Sequence, residues 1–102
     1  MEFINLTPHG INIIQKRFIE PSGTVARCTE ITENAGRAGG VPLIYRHYSD
    51  VEGLPEPKND VMYIVSHMVR VALPERKDLV SPGNLLRDCD GNIIGCTNFI
   101  RN

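Results

Sequence analysis

Leu85-Leu86-Arg87-Asp88-Cys89-Asp90-Gly91-Asn92-Ile93-Ile94-Gly95-Cys96-Thr97-Asn98-Phe99 carries the plainest structural signal in the chain. Asp90-Gly91 is a favoured type I′ pair, because both central residues of that turn need positive φ. Apolar residues flank it on both sides, so the stretch reads as a β-hairpin joining Leu85–Cys89 to Asn92–Phe99. With a two-residue loop, Cys89 faces Asn92 and Leu85 faces Cys96. The two cysteines are then separated by ~13 Å at ~3.3 Å per residue, too far to bond or to share a metal. Ser81-Pro82-Gly83-Asn84 has the composition of a turn leading into this hairpin.

Upstream, proline and glycine punctuate the whole length. Pro8, Pro21, Pro42, Pro55, Pro57, Pro74 and Pro82 leave no long uninterrupted segment. The widest gap, Ser22 to Val41, contains Gly36, Gly39 and Gly40, which excludes a long helix and with it a helical bundle. The segments between breakers read as short strands: Phe3–Leu6 and Ile11–Ile14 around a Thr7-Pro8-His9-Gly10 corner, Thr24–Thr32 after a Glu20-Pro21-Ser22-Gly23 turn, then Val41–Tyr48 and Val61–Val65. Glu52-Gly53-Leu54-Pro55-Glu56-Pro57 reads as an extended, solvated loop. One helix is expected near 66–73. Val65, Met68, Val69, Ala72 and Leu73 fall on one stripe, Ser66 caps the start and Pro74 ends it.

The expected architecture is mainly β (α+β), a small mixed β-barrel or rolled sheet of about eight short strands with one short helix, in one domain spanning 1–102. Its core should draw on Ile4, Leu6, Ile13, Val25, Leu43, Ile64, Met68, Leu73, Leu79, Leu86, Ile93 and Phe99.

Composition narrows the function classes. The 102 residues are 41% hydrophobic and 23% charged, which is globular, not disordered, composition. A formal net charge of −1 excludes a generic polyanion binder, which needs a surplus of Lys and Arg. Trp is absent and aromatics are 6%, so a base-stacking platform for nucleic acid is not expected. No uncharged run approaches the ~20 residues of a membrane span, and Met1-Glu2 does not open as a secretory signal does. Three cysteines without CxxC spacing, Cys28, Cys89 and Cys96, point to reduced thiols and a cytoplasmic location.

Several segments in fixed order carry a resemblance: Asn5-Leu6-Thr7-Pro8-His9, Pro21-Ser22-Gly23-Thr24-Val25-Ala26-Arg27, Val51-Glu52-Gly53-Leu54-Pro55-Glu56-Pro57, Tyr63-Ile64-Val65-Ser66, and Ser81-Pro82-Gly83-Asn84 followed by Arg87-Asp88 and Gly91-Asn92-Ile93-Ile94-Gly95-Cys96. Together they make the chain similar to a family of small proteins carried by phages, prophages and bacterial genomes. The resemblance covers nearly the whole length. It implies a phage or mobile-element setting and action in the host cytoplasm, and it transfers no catalytic residue.

Candidate site residues cluster at corners. Thr7 and His9 present a hydroxyl and an imidazole from a rigid loop, or form a turn in which Thr7 bonds its own backbone. Pro21–Thr24 lacks the spacing of a phosphate loop, while strand alternation puts Arg27 either toward a cavity or on guard at a strand edge. Ser66, His67 and Arg70 sit where a helix N-terminus could meet an anion, with an ordinary N-cap as the plain alternative. His9, His47 and His67 have no i, i+4 pairing for zinc, and no cofactor is expected.

Three function classes follow. The leading one is a small-ligand binding protein, one that sequesters a phosphorylated signalling nucleotide to counter bacterial defence. It would bind through Thr7, His9, Arg27, Ser66, His67 and Arg70 and assemble as a homo-oligomer. The alternative is a protein-interaction module, a phage inhibitor of a host protein or a structural accessory, which an exposed apolar patch would favour. A small hydrolase acting through Cys96 or His9 is the third, without a supporting motif.

Overall fold

A computed structural model describes residues 1–102. Eight strands and one helix follow in the order β1 (Glu2–Asn5), β2 (Ile11–Ile13), β3 (Arg17–Ile19), β4 (Glu30–Ala38), β5 (Val41–Tyr48), β6 (Val61–Ile64), α1 (His67–Ala72), β7 (Leu79–Arg87) and β8 (Ile93–Arg101). Six of the strands form one sheet in the order β1-β6-β7-β8-β2-β3, and β4 pairs only with β5. The larger sheet curls until its outer strands nearly meet. A bridge between Asn5 and Pro21 follows β1 and β3, and the Ser22 amide donates to the Asn5 carbonyl at 2.9 Å. The result is the barrel-like, mainly β fold expected from the punctuation of the sequence.

The barrel is sealed by a side chain. Asn5 is fully buried, and its Nδ2 donates to the carbonyls of Ile19 (3.2 Å) and His9 (2.8 Å). Its Oδ1 accepts from the Thr7 amide at 3.0 Å and lies 2.7 Å from Thr7 Oγ1. One amide therefore ties β1, the Thr7–Gly10 corner and β3.

β6 and β7 are parallel and α1 makes the crossover between them, as parallel neighbours require. Side chains alternate across β6 into two clusters. Tyr63 and Val65 pack outside the barrel with Leu6, Ala26, Val69 of α1 and Leu79. Ile64 points inward to Ile13, Ile19, Val80 and Cys96. α1 starts where expected: Ser66 Oγ accepts from the Val69 amide at 3.3 Å. No helix is long and apolar enough to cross a membrane.

Four expectations need correction. The C-terminal hairpin pairs Leu85 with Cys96 as expected, but a bulge after Leu86 shifts Arg87 onto Ile93. The loop is not a two-residue type I′ turn. Gly91 (φ +84) has positive φ and Asp90 does not. Asp88 Oδ1 gathers the amides of Asp90 and Asn92 at 2.9 and 3.0 Å, and the Gly91 amide closes on the Asp88 carbonyl. A carboxylate that caps a wider loop has outcompeted the dipeptide preference. Ser81–Asn84 is no turn either, because it runs inside β7, with Pro82 opposite Phe99 and Gly83 opposite Asn98. Pro82 is tolerated there because β6 reaches only Val80, so its missing N–H faces no strand.

Thr24–Thr32 is not one strand. Residues 24–29 form a strap across the outer cluster, with the Ala26 amide on the Leu6 carbonyl (3.0 Å) and Arg27 bridged to Glu52, and β4 begins only at Glu30. Finally, Leu43, Leu86 and Ile93, expected in the core, are exposed at 42, 38 and 54%. Leu43 lies on the β4–β5 ribbon, which pairs with no strand of the larger sheet.

That ribbon is an arm. Gly39 and Gly40, both at positive φ, make its two-residue turn. At its base the Ser49 amide donates to the Thr29 carbonyl and the Thr29 amide to Ser49 Oγ, each at 2.8 Å. The extents of 50 × 39 × 22 Å and a radius of gyration of 16.3 Å reflect it, since a compact chain of this length has a radius near ~13 Å.

Excising Glu30–Tyr48 and rejoining Thr29 to Ser49 through a short glycine linker should leave the barrel's own unfolding free energy, from urea titration of dilute protein, within about 0.5 kcal/mol of the parent. Asn5→Ala, by contrast, strands the buried Ile19 carbonyl and the half-buried Thr7 amide and takes one of two donors from the His9 carbonyl, and should lower the unfolding free energy by about 2–4 kcal/mol in the same titration.

Candidate functional site

The residues singled out in the sequence fall into three separate places. At the corner after β1, Thr7 is committed to the Asn5 amide, and its Oγ1 also lies 2.9 Å from the His9 carbonyl oxygen. The His9 side chain is exposed and borders a cavity. Arg27 is exposed on the strap, and its backbone forms two bonds with Glu52, 2.9 and 2.8 Å long. Ser66, His67 and Arg70 do come together, at α1.

The helix cluster is a polar plug. Arg70 is 8% exposed and spreads its donors over three neutral acceptors: Nε to Ser81 Oγ (2.9 Å), Nη1 to Asn102 Oδ1 (3.2 Å) and Nη2 to His67 Nδ1 (2.9 Å). No carboxylate lies within 4.0 Å of it. Asn102 Nδ2 in turn lies 3.0–3.1 Å from the carbonyls of Arg70, Leu73 and Arg76, which follow one another through the end of α1 and the turn after it. The guanidinium thus locks α1 to β7 and to the end of the chain, and it does not face outward from the helix N-terminus.

Just beyond, Arg76 holds Asp78 through two bonds of 2.8 Å and donates to the Pro55 carbonyl at 3.1 Å. Those bonds from Arg76 keep the Asp78 carboxyl below the ordinary carboxylate range despite partial burial.

A concavity opens beside the Thr7–Gly10 corner, between β2, β3 and the β7–β8 pair. It encloses about 430 Å³, with Phe18, Leu85, Ile93, Ile94 and Cys96 as its main apolar walls. His9 and Asn12 are its polar members, and neither Arg nor Lys lines it. Local sequence builds it. The Phe18 ring lies directly over Gly10, a contact any side chain at position 10 would obstruct. Asn12 Nδ2 donates to the Ile94 carbonyl at 3.0 Å and holds β2 against β8. Cys96 belongs to both the cavity wall and the inner cluster, and burial pushes its thiol, like that of Cys28, above the ordinary value. Neither is a ready thiolate nucleophile.

A second feature escaped the sequence reading. On the arm, the alternation of β5 puts Val41, Leu43, Tyr45 and His47 on one face with Ile31 and Glu33 of β4, Ile31 standing opposite His47 and Glu33 opposite Tyr45. The four large apolar residues are exposed, from 38% at Ile31 to 65% at Tyr45. The opposite face carries Thr32, Ile44 and the Arg46–Glu30 ion pair. The usable signal was Gly39-Gly40 between two β-prone runs, a hairpin dipeptide that the helix-breaking argument did not use.

No family model, curated protein or solved structure matches the chain.

Because the folded pKa of Asp78 lies below its unfolded value, its pairing contributes full stability above the unfolded carboxylate range, ~4, and loses it as pH falls through the folded pKa. Asp78→Asn should therefore lower the unfolding free energy by about 1–2 kcal/mol at neutral pH, with the gap to the parent closing as pH drops below ~4. Denaturant titrations of both chains at several pH values read this out.

Proposed function

We propose that this chain is a protein-interaction module, of the phage or mobile-element kind its sequence resembles, that engages a partner through apolar β-surface. The observation that carries the reading is the arm: two strands that pair only with each other and carry a largely apolar, exposed face. The rest of the surface supports it. Thirteen large hydrophobic residues are exposed against eleven apolar residues buried, and only 16 of 102 residues are buried at all. Single exposed apolar side chains are ordinary, but contiguous apolar faces on a soluble domain mark contact surfaces.

Capture of a phosphorylated nucleotide finds less support in this geometry. The cavity has no cation to meet a phosphate, and Arg70 already has its donors placed on Ser81, Asn102 and His67. The cavity volume and its apolar walls suit an uncharged, largely apolar group instead, whether free or carried on a protein.

A photo-reactive benzophenone amino acid placed at Tyr45 or at Phe18, with exposed Lys58 as control position, tests the reading in cells making the full chain. Covalent adducts to another polypeptide are expected from positions 45 and 18 and not from 58. Adducts from neither apolar position above the control would remove it.

A further inference from the structure

The surface this chain leaves uncovered is large enough to weigh. Its accessible area is 6942 Å², whereas a compact monomer of its mass exposes ~5,800 Å². The excess, roughly 1,100 Å², exceeds the ~800 Å² that each partner contributes to a standard stable interface. The arm accounts for it in kind. A two-stranded ribbon without a packed face is marginal in water, so β4–β5 requires a layer beneath Ile31, Val41, Leu43 and Tyr45.

The same chain carries a surface of the missing type. The cavity walled by Phe18, Leu85, Ile93 and Ile94 is apolar, open and free of formal charge. The arm's formal charges cancel, Glu30 and Glu33 against Arg37 and Arg46, and the one carboxylate on the docking face, Glu33 opposite Tyr45, has to stay at the solvated rim of the contact. Leu43 and Tyr45, two apart on one strand, project ~6.6 Å from each other on the same face, a spacing that a cavity of about 430 Å³ can take.

Resting on the interaction reading above, we infer that the occupant is a second copy of this chain: the arm of each protomer seats its Leu43–Tyr45 face in the Phe18–Ile94 cavity of the other. Reciprocal exchange closes after two subunits. It leaves neither arm nor cavity free, whereas one-way insertion would propagate into a filament. The arm face, ~30 Å long and ~10 Å wide, covers ~300 Å². Two arm–cavity contacts, each burying that area on both sides, total ~1,200 Å², within the range of specific dimers. A second copy is also the one partner always present in equal amount.

Light scattering coupled to size-exclusion chromatography of the full chain at roughly 100 µM, well above micromolar dissociation constants, should return twice the chain mass. The arm variant Leu43→Asp/Tyr45→Asp and the cavity variant Phe18→Asp/Ile93→Asp should each run as folded monomers by circular dichroism. Phe18→Ser replaces the cavity variant if the aspartates unfold it. Mixed one to one, the two monomers should form a heterodimer through the one intact arm and the one intact cavity, held roughly tenfold or more weakly than the parent dimer. A monomeric parent, a dimer that survives either variant, or a mixture that stays monomeric would each overturn the inference. If the parent is monomeric while position 45 still cross-links to a different protein, self-association alone falls. If cross-linking fails as well, the interaction reading falls with it.

Discussion

A single buried amide decides whether the larger sheet is a barrel or an open curl. Asn5 closes the gap between β1 and β3, where regular ladder pairing is reduced to one bridge at Pro21, and it does so with every polar atom of its side chain occupied. A fully buried amide is unfavourable unless all its partners are present, so the side chain selects the one arrangement that supplies the carbonyls of His9 and Ile19 together with Thr7. The Thr7–Gly10 corner is thereby fixed as part of the seam. Phe18 follows from that, because β3 is held in register beneath the corner and its ring comes to rest over Gly10. The mouth of the cavity is a consequence of the seam.

The barrel is stabilised on both faces of a short strand. β6 is four residues long, yet Tyr63 and Val65 serve the outer cluster while Ile64 serves the inner one. α1 covers the outer face through Val69, and Arg70, next in sequence, satisfies polar groups at the edge of that contact. Its positive charge has only neutral acceptors, which makes the plug a device for fixing geometry more than a source of net stability. Arg76 and Asp78 make the complementary arrangement one turn later, with charge matched by charge. The two guanidiniums hold opposite ends of the same crossover: Arg70 against β7, Arg76 against the Pro55 loop.

How far the chain could be read in advance depends on the range of the interactions involved. Short-range signals were legible: the Ser66 cap, the Pro74 stop, the pairing of Leu85 with Cys96, and the run of short strands. Each depends on neighbours within a few residues. The errors arose where distant groups intervened. Asp90-Gly91 does prefer a tight turn, but Asp88 offered three more hydrogen bonds in a wider one. Ser81-Pro82-Gly83-Asn84 has turn composition, but β8 supplies a ladder for it and β6 stops short of its proline. Leu43 has the hydrophobicity of a core residue, and no local pattern says that its strand pairs with one partner and then leaves the barrel. Arg70 and Asn5 were invisible as structural keys for the same reason, since Arg70 reaches Ser81 and Asn102, 11 and 32 residues away, and Asn5 reaches Ile19, 14 away.

The arm is what remains once the barrel has taken what it can enclose. Eleven buried apolar residues in two clusters satisfy six short strands and a helix of six residues, and the enclosed volume has no place for a further ribbon. Nineteen residues of strong β-character must then pair with each other or with another molecule. They pair with each other through Gly39-Gly40, which satisfies the backbone but leaves one face dressed for burial. Hydrophobic side chains on that face gain little in isolation, because an unpacked ribbon leaves them 38–65% exposed. Retaining Ile31, Val41, Leu43 and Tyr45 there, with Glu33 the one carboxylate among them and the Arg46–Glu30 pair on the other face, is coherent only if the arm spends its functional life against a largely apolar surface. The physics of a barrel too small for its own chain thus leads directly to a protein that completes its packing outside itself.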